Sequence, residues 1–96
     1  MAVTMTQQFP ATTDQYDEVN AKMDVENDPP NGLIVHTAAR VGDDIRIVDV
    51  WESQGDYEKF LEDRLGPAVV EVMGPPPQDA PPPNLDFQEL HNVIKP

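Results

Sequence analysis

The sequence predicts an α+β fold in which two strand–helix–strand units follow one another in the order βαββαβ. Two central segments, GLIVHTAAR and DIRIVDVWE, have the periodicity and β-branched content of half-buried strands. Two other segments, which follow Thr12 and Ser53, carry apolar residues at helical spacing behind a capping residue. Within 96 residues this order is typical of the ferredoxin-like arrangement, a four-stranded antiparallel sheet with two helices on one face.

The first unit begins with a strand over residues 2–9, where apolar and β-branched residues partly alternate. Thr12 and Gln15 then form a capping-box signature, because a hydroxyl and an amide three residues apart can satisfy the free N–H groups of a helix start. The helix carries Tyr16 in its first turns, and we expect it to end near Asn27.

The second unit begins with the two central strands and continues into a helix capped by Ser53. We expect Gly66 and Pro67 to interrupt this helix, because proline lacks an N–H donor and crowds the preceding turn. The short segment AVVEVM resumes it. Residues 74–84 are a proline-rich connector, and it leads to a last strand over residues 85–94.

Length and composition restrict the chain to one acidic domain. Residues 1–96 leave room for a single modest core. The net charge of −12, from 18 acidic and 6 basic side chains, repels nucleic acid and anionic lipid. The absence of cysteine excludes disulfides, thiolate catalysis and cysteine-ligated clusters. With no targeting segment at the N-terminus, we expect a cytoplasmic protein that binds neither nucleic acid nor membranes.

Both faces of the predicted sheet carry apolar residues. On the third strand, Ile45 and Ile47 lie on one face, whereas Val48 and Val50 lie on the other. Two helices on one side of the sheet leave the other face uncovered, so that face requires a partner. We expect a homodimer in which two sheets close into a dimeric α+β barrel.

Several segments resemble the dimeric α+β barrel superfamily: GLIVH, RIVDVWES, YEKFLEDRLGPAV and LHNVI. Within it, the chain looks most similar to small actinobacterial-type relatives of the antibiotic biosynthesis monooxygenases. The resemblance implies a homodimer with a pocket between sheet and helices in each subunit. It implies no single reaction, because the superfamily includes cofactor-independent oxygenases of polycyclic phenols, haem-degrading enzymes and proteins without known chemistry.

The hairpin register determines which polar residues meet. A loop with an even number of residues places His36 beside Asp49 and near Trp51, whereas an odd loop places it with Val48 and Val50. We favour the even loop because it gives Asp49, a carboxylate in a mostly apolar strand, a hydrogen-bonding partner.

In this register His36 and Asp49 are the candidate catalytic residues. The carboxylate fixes the imidazole tautomer, and the free ring nitrogen can act as a general base toward an acidic phenol or carbon acid. Trp51, Tyr16 and His91 are the candidate substrate-binding residues: Trp51 as an aromatic wall, Tyr16 as a closing group and His91 as a second acid–base group. The competing interpretation is a structural His–Asp pair beside a core tryptophan.

We expect no cofactor and no metal. Haem-degrading members of the superfamily use a histidine on the second helix; the corresponding position is Val70, and this helix contains no histidine. The two histidines show no metal-ligand spacing, and no phosphate-binding glycine loop is present. The resemblance therefore implies a small-molecule-binding dimeric α+β barrel protein, whose reaction as an enzyme would be cofactor-independent oxygenation of a small aromatic or apolar substrate; the alternative is a non-catalytic binding or structural homodimer of the same fold.

Overall fold

A computed structural model describes residues 1–75 and 85–95 and confirms the predicted ferredoxin-like order. The four strands form one antiparallel sheet in the order β2-β3-β1-β4. The elements are β1 (Val3–Pro10), α1 (Thr13–Met23), β2 (Leu33–Val41), β3 (Asp44–Trp51), α2 (Gln54–Phe60), a π-helical turn (Leu61–Leu65), α3 (Gly66–Met73) and β4 (Leu85–Glu89). In this part of the chain no helix is long and apolar enough to cross a membrane.

The capping box at the start of α1 is present as predicted. The Thr12 hydroxyl accepts from the Gln15 N–H at 3.1 Å, and the Gln15 side chain accepts from the Thr12 N–H at 2.9 Å. The helix ends at Met23, earlier than expected, because Asp24 adopts a left-handed conformation with φ 53° and donates its N–H to the Asn20 carbonyl.

The prediction that Gly66 and Pro67 interrupt the second helix is wrong. The chain remains helical from α2 to α3 and widens into the π-helical turn, where the Gly66 N–H donates to the Leu61 carbonyl. This wider turn places Pro67 in the first turn of α3, where a missing N–H is tolerated. A Cβ at Gly66 would lie 2.9 Å from the Leu61 oxygen, so the close approach of the backbone requires glycine.

The core lies between the sheet and the helices. Its buried residues are Met5, Ile45, Ile47, Trp51 and Tyr57. Tyr57 and Phe60 pack beside Trp51, and both ring centroids lie 5.5 Å from that of the indole.

The β2–β3 loop contains two residues, Gly42 and Asp43, so the even-loop register is confirmed. Gly42 has φ 60°, a conformation that glycine adopts without steric cost. His36 pairs directly with Asp49 across the hairpin. Both side chains therefore lie on one face of the sheet, the face covered by the helices.

The last strand is shorter than predicted, and this removes His91 from the sheet. β4 ends at Glu89, and the Leu90 N–H donates to the Ala2 carbonyl at the end of the ladder. Residues 90–95 have no regular secondary structure. Most of the predicted connector, residues 76–84, lies outside the described residues.

Candidate functional site

Asp49 is the buried charged residue at the centre of the site. It is 3% exposed and lies between two cross-strand neighbours, His36 on β2 and Met5 on β1. Each carboxylate oxygen accepts one hydrogen bond: Oδ1 lies 2.6 Å from His36 Nδ1, and Oδ2 accepts from the Trp51 indole N–H at 3.1 Å. These two donors offset the desolvation of the carboxylate, which is costly to bury without partners.

This arrangement assigns the tautomer of His36. An ionised carboxylate only accepts hydrogen bonds, so Nδ1 must carry the proton that it donates to Asp49. In the neutral ring Nε2 is then an acceptor. The Tyr16 hydroxyl lies 2.5 Å from Nε2 and donates to it. Trp51, Asp49, His36 and Tyr16 thus form one continuous hydrogen-bonded chain from the core to the edge of the sheet.

Tyr16 reaches this position from the first turn of α1. Its N–H donates to the carbonyl of the capping residue Thr12 at 3.1 Å, which fixes the start of the helix above β2. The phenol and imidazole rings are almost parallel, with centroids 6.0 Å apart and an interplanar angle of 4°. Burial raises the pKa of Tyr16 above its ordinary value, and the nearby charge of Asp49 acts in the same direction.

The chemical character of the group follows from its exposure. β2 is an edge strand, and the His36 side chain remains 32% exposed, whereas that of Asp49 is 5% exposed. The site therefore presents an oriented imidazole and a phenol hydroxyl to the edge of the sheet, with the charge that orients them held inside. Such a group can accept, hold and return a proton.

Comparison with known proteins gives matches in structure only. No family model matches the sequence, and no curated protein matches it. A proposed antibiotic biosynthesis monooxygenase from Chloroflexus aurantiacus has a TM-score of 0.66 at 18% identity, covering 99% of this chain and 98% of that one. SnoaB, a cofactor-independent oxygenase from Streptomyces nogalater, has a TM-score of 0.63 at 14% identity, covering 97% and 96% of the two chains. The chain has the antibiotic biosynthesis monooxygenase-like fold.

The resemblance inferred from the sequence is thus confirmed at the level of the fold. The SnoaB-like fold extends over nearly the whole chain, including both strand–helix–strand units. Identities of this size show the fold and leave the reaction open.

Trp51, the aromatic wall predicted from the hairpin register, is instead buried in the core. The indole is 1% exposed, and Tyr57 and Phe60 fill the space around it. Its contribution to the site is the hydrogen bond to Asp49. The indole is therefore part of the core, and it contributes to the site by holding the Asp49 carboxylate that contacts His36.

Two surface clefts in the described part of the chain lie away from His36 and Asp49. One, with a volume of about 230 Å³, is lined by the α1–β2 loop and by α2 with the π-helical turn, including Pro30, Phe60 and Arg64. The other, of about 260 Å³, is lined by the exposed side of α1 and the residues after it. Access to His36 is therefore from the open edge rather than through either cleft.

His91 is not part of the chain of hydrogen bonds. It is exposed, follows β4 and lies beyond the sheet edge opposite to β2. Among residues 1–75 and 85–95, no group of three or more histidine, aspartate or glutamate side chains is arranged to hold a metal ion.

The sequence identified every member of the hydrogen-bonded chain but missed two of its contacts, the hydrogen bond from Trp51 to Asp49 and the contact between Tyr16 and His36. The signal that could have found the contact of Tyr16 is the capping box. Thr12 fixes the first turn of α1, and Tyr16 is the aromatic residue of that turn. Which strand the turn covers is decided by helix packing, and this cannot be read from local spacing.

Proposed function

We propose that this chain is a small-molecule-binding homodimer and a cofactor-independent monooxygenase of a small aromatic or apolar substrate. The observation that carries the proposal is the His36 imidazole, which Asp49 orients so that the Nε2 lone pair is directed at a phenol hydroxyl. An oriented neutral imidazole is a suitable general base. SnoaB, a cofactor-independent oxygenase with the same fold, supports this reaction class.

In the proposed reaction, an acidic group of the substrate replaces the Tyr16 hydroxyl at Nε2 of His36. Proton transfer to Nε2 gives a substrate anion, and Asp49 stabilises the imidazolium that forms. The electron-rich anion then reduces and adds dioxygen. When the reacting carbon is a CH₂ group, one atom of dioxygen becomes the oxygen of a new C=O group. The other atom leaves as water together with the two hydrogens of the CH₂ group. Buried Trp51 holds Asp49 in place throughout.

The two histidines provide a matched test of this role. His36→Gln should lower substrate-dependent oxygen consumption by roughly 100-fold or more, because a general base contributes about that much. His91→Gln should leave the rate unchanged, since His91 lies outside the hydrogen-bonded chain. The assay is an oxygen electrode with a panel of flat phenols and aromatic carbon acids. Equal rates in the two variants would contradict the assignment of His36.

One observation favours the non-catalytic alternative. Trp51 is fully enclosed, and neither of the two clefts described above is lined by His36 or Asp49. In a non-catalytic protein the hydrogen bonds that join Trp51, Asp49, His36 and Tyr16 would serve the structure alone. A thermal-shift screen with the same compounds separates the two functions, because a ligand that binds only the native state raises its apparent stability. Binding without oxygen consumption would support a binding module, and neither response would support a structural one.

The homodimer rests on the sheet face opposite the helices. On this face β2 and β3 carry exposed valines, including Val35 at 41% and Val48 at 38% exposed. The described strands place few charges there, Arg46 and Asp44 on β3 and Asp86 on β4, although the chain has 18 acidic residues. A second copy of the chain is the partner that would cover a charge-poor face of this kind.

Two valines with similar exposure test the dimer. Val48→Glu should convert it to a monomer in sedimentation experiments, because the carboxylate would be buried in the interface. Val70→Glu, on α3 and 45% exposed, should remain dimeric. Dissociation of the Val70 variant alone would place the interface on the helices instead.

A further inference from the structure

The chain contains two tyrosines, Tyr16 and Tyr57. The hydroxyl of Tyr16 is hydrogen-bonded to a basic nitrogen. The Tyr16 hydroxyl lies 2.5 Å from His36 Nε2, and the opposite nitrogen of the ring lies 2.6 Å from Asp49. Tyr57 instead packs edge-on against Trp51 and Phe87 in the core, with centroid distances of 5.5 and 5.6 Å. The two phenols therefore differ in what their hydroxyl protons can do.

Loss of one electron makes a phenol hydroxyl strongly acidic, so oxidation is easiest where a base accepts the proton in the same step. At Tyr16 the acceptor is already in place, and the proton moves along an existing hydrogen bond. Asp49 then balances the charge of the imidazolium at 2.6 Å, so the positive charge forms beside a buried carboxylate. A phenol carries its proton at neutral pH at its ordinary pKa, and burial raises the pKa of Tyr16 further, so oxidation of this residue needs the acceptor.

We propose that Tyr16 is a redox-active tyrosine: a one-electron oxidant removes an electron from its ring while its proton moves to Nε2 of His36. The products are a neutral tyrosyl radical, an imidazolium paired with Asp49, and the reduced oxidant. The oxidant class is a peroxyl or phenoxyl radical, which takes up the electron and becomes the corresponding anion.

The position of Tyr16 suits this chemistry. Tyr16 is half-buried on α1 beside the edge strand β2, so an oxidant can approach it without entering the core. The other aromatic side chains that readily lose one electron, Trp51 and Tyr57, are almost completely buried. Oxidation at the edge would therefore spare the core aromatic residues. This property goes beyond the proposed oxygenase and requires no substrate.

The test uses the substrate-free chain and hexachloroiridate(IV), an outer-sphere one-electron oxidant, followed by rapid freezing and electron paramagnetic resonance. Wild type and Tyr57→Phe should give the same tyrosyl signal, and Tyr16→Phe should lose it. His36→Gln should slow formation of the radical by about tenfold or more, because the proton acceptor is missing. His91→Gln should behave as wild type.

A signal that persists in Tyr16→Phe or disappears in Tyr57→Phe would overturn the proposal, as would an unchanged rate in His36→Gln. Wild type alone gives a second test if a variant does not fold. In D₂O, the radical should show an exchangeable deuteron hydrogen-bonded to the phenoxyl oxygen by electron–nuclear double resonance; its absence would refute the proton transfer to His36. Because no substrate is present, these outcomes are independent of the oxygen-consumption assay.

Discussion

The two oxygens of the Asp49 carboxylate are held by two different regions of the molecule. Oδ2 faces the aromatic core, which consists of Trp51, Tyr57 and Phe60, and Oδ1 faces the polar edge, which consists of Tyr16 and His36. The core is closed, whereas the edge ends in a half-buried hydroxyl and a partly exposed imidazole. The core therefore holds the carboxylate in place, whereas the side chains that can exchange a proton with a ligand lie at the edge. Changes in the core should alter stability, and changes at the edge should alter chemistry.

The largest effect on stability is expected in the aromatic core. Trp51→Ala should lower the free energy of unfolding by about 3–5 kcal/mol, because it leaves a cavity between β3 and α2. It also removes the donor to Asp49 Oδ2. His36→Ala, at the polar edge, should cost clearly less. Urea unfolding of the two variants measures the contrast, and equal losses would show that core and edge do not differ in this way.

Asp49→Asn should affect both regions. We expect a loss of roughly 1–3 kcal/mol of stability, the cost of leaving a buried hydrogen-bonding group badly paired. An amide NH₂ facing His36 also forces Nδ1 to accept, which moves the ring proton to Nε2 and removes the base. Oxygen consumption should therefore fall as far as in His36→Gln, while the variant still folds. Full activity in the Asp49→Asn variant would mean that the carboxylate does not orient the imidazole.

A double-mutant cycle should resolve the two hydrogen bonds of Asp49. Trp51→Phe removes the indole N–H, and His36→Gln removes the imidazole. We expect Asp49→Asn to couple with each of these changes by about 0.5–3 kcal/mol, because contacting residues are not additive. Coupling with Trp51 should be the larger, since that bond is buried. Additive effects at both positions would indicate that the carboxylate is satisfied by water instead.

A separate effect is expected on the alkaline stability. Burial raises the pKa of Tyr57 from 10.0 to about 12. A raised folded pKa means that the unfolded chain releases this proton first, so stability present below pH 10 is lost as the pH rises toward 12. Tyr57→Phe should flatten this part of the stability curve, and tyrosinate absorbance should place the titration of Tyr57 near 12. Titration of both tyrosines at the ordinary value would contradict the packing around Tyr57.

The sequence predicted the parts of the fold that depend on local pattern. Alternation and capping residues predicted the order of elements but left the length of the β2–β3 loop open between an even and an odd number of residues. The structure has two loop residues, Gly42 and Asp43, and this sets the register that pairs His36 with Asp49. The need of a buried carboxylate for a partner pointed to the same register.

The remaining features depend on packing between distant segments. The π-helical turn, which keeps the helix continuous through Pro67, forms where Gly66 approaches the Leu61 carbonyl. The enclosure of Trp51 requires Tyr57 and Phe60 to close over the indole, and the contact of Tyr16 with His36 requires α1 to lie over β2. None of these is encoded in a short stretch of residues.

The central claim is that Asp49 fixes His36 as a base whose free nitrogen faces the polar edge. Nitrogen-15 NMR of the two histidines at mildly alkaline pH measures this directly. We predict a protonated, pyrrole-type Nδ1 and an unprotonated, pyridine-type Nε2 for His36, with the pattern reversed in Asp49→Asn; exposed His91 provides the internal reference. A proton on Nε2 of His36 in the wild-type chain, unchanged by Asp49→Asn, would contradict the account.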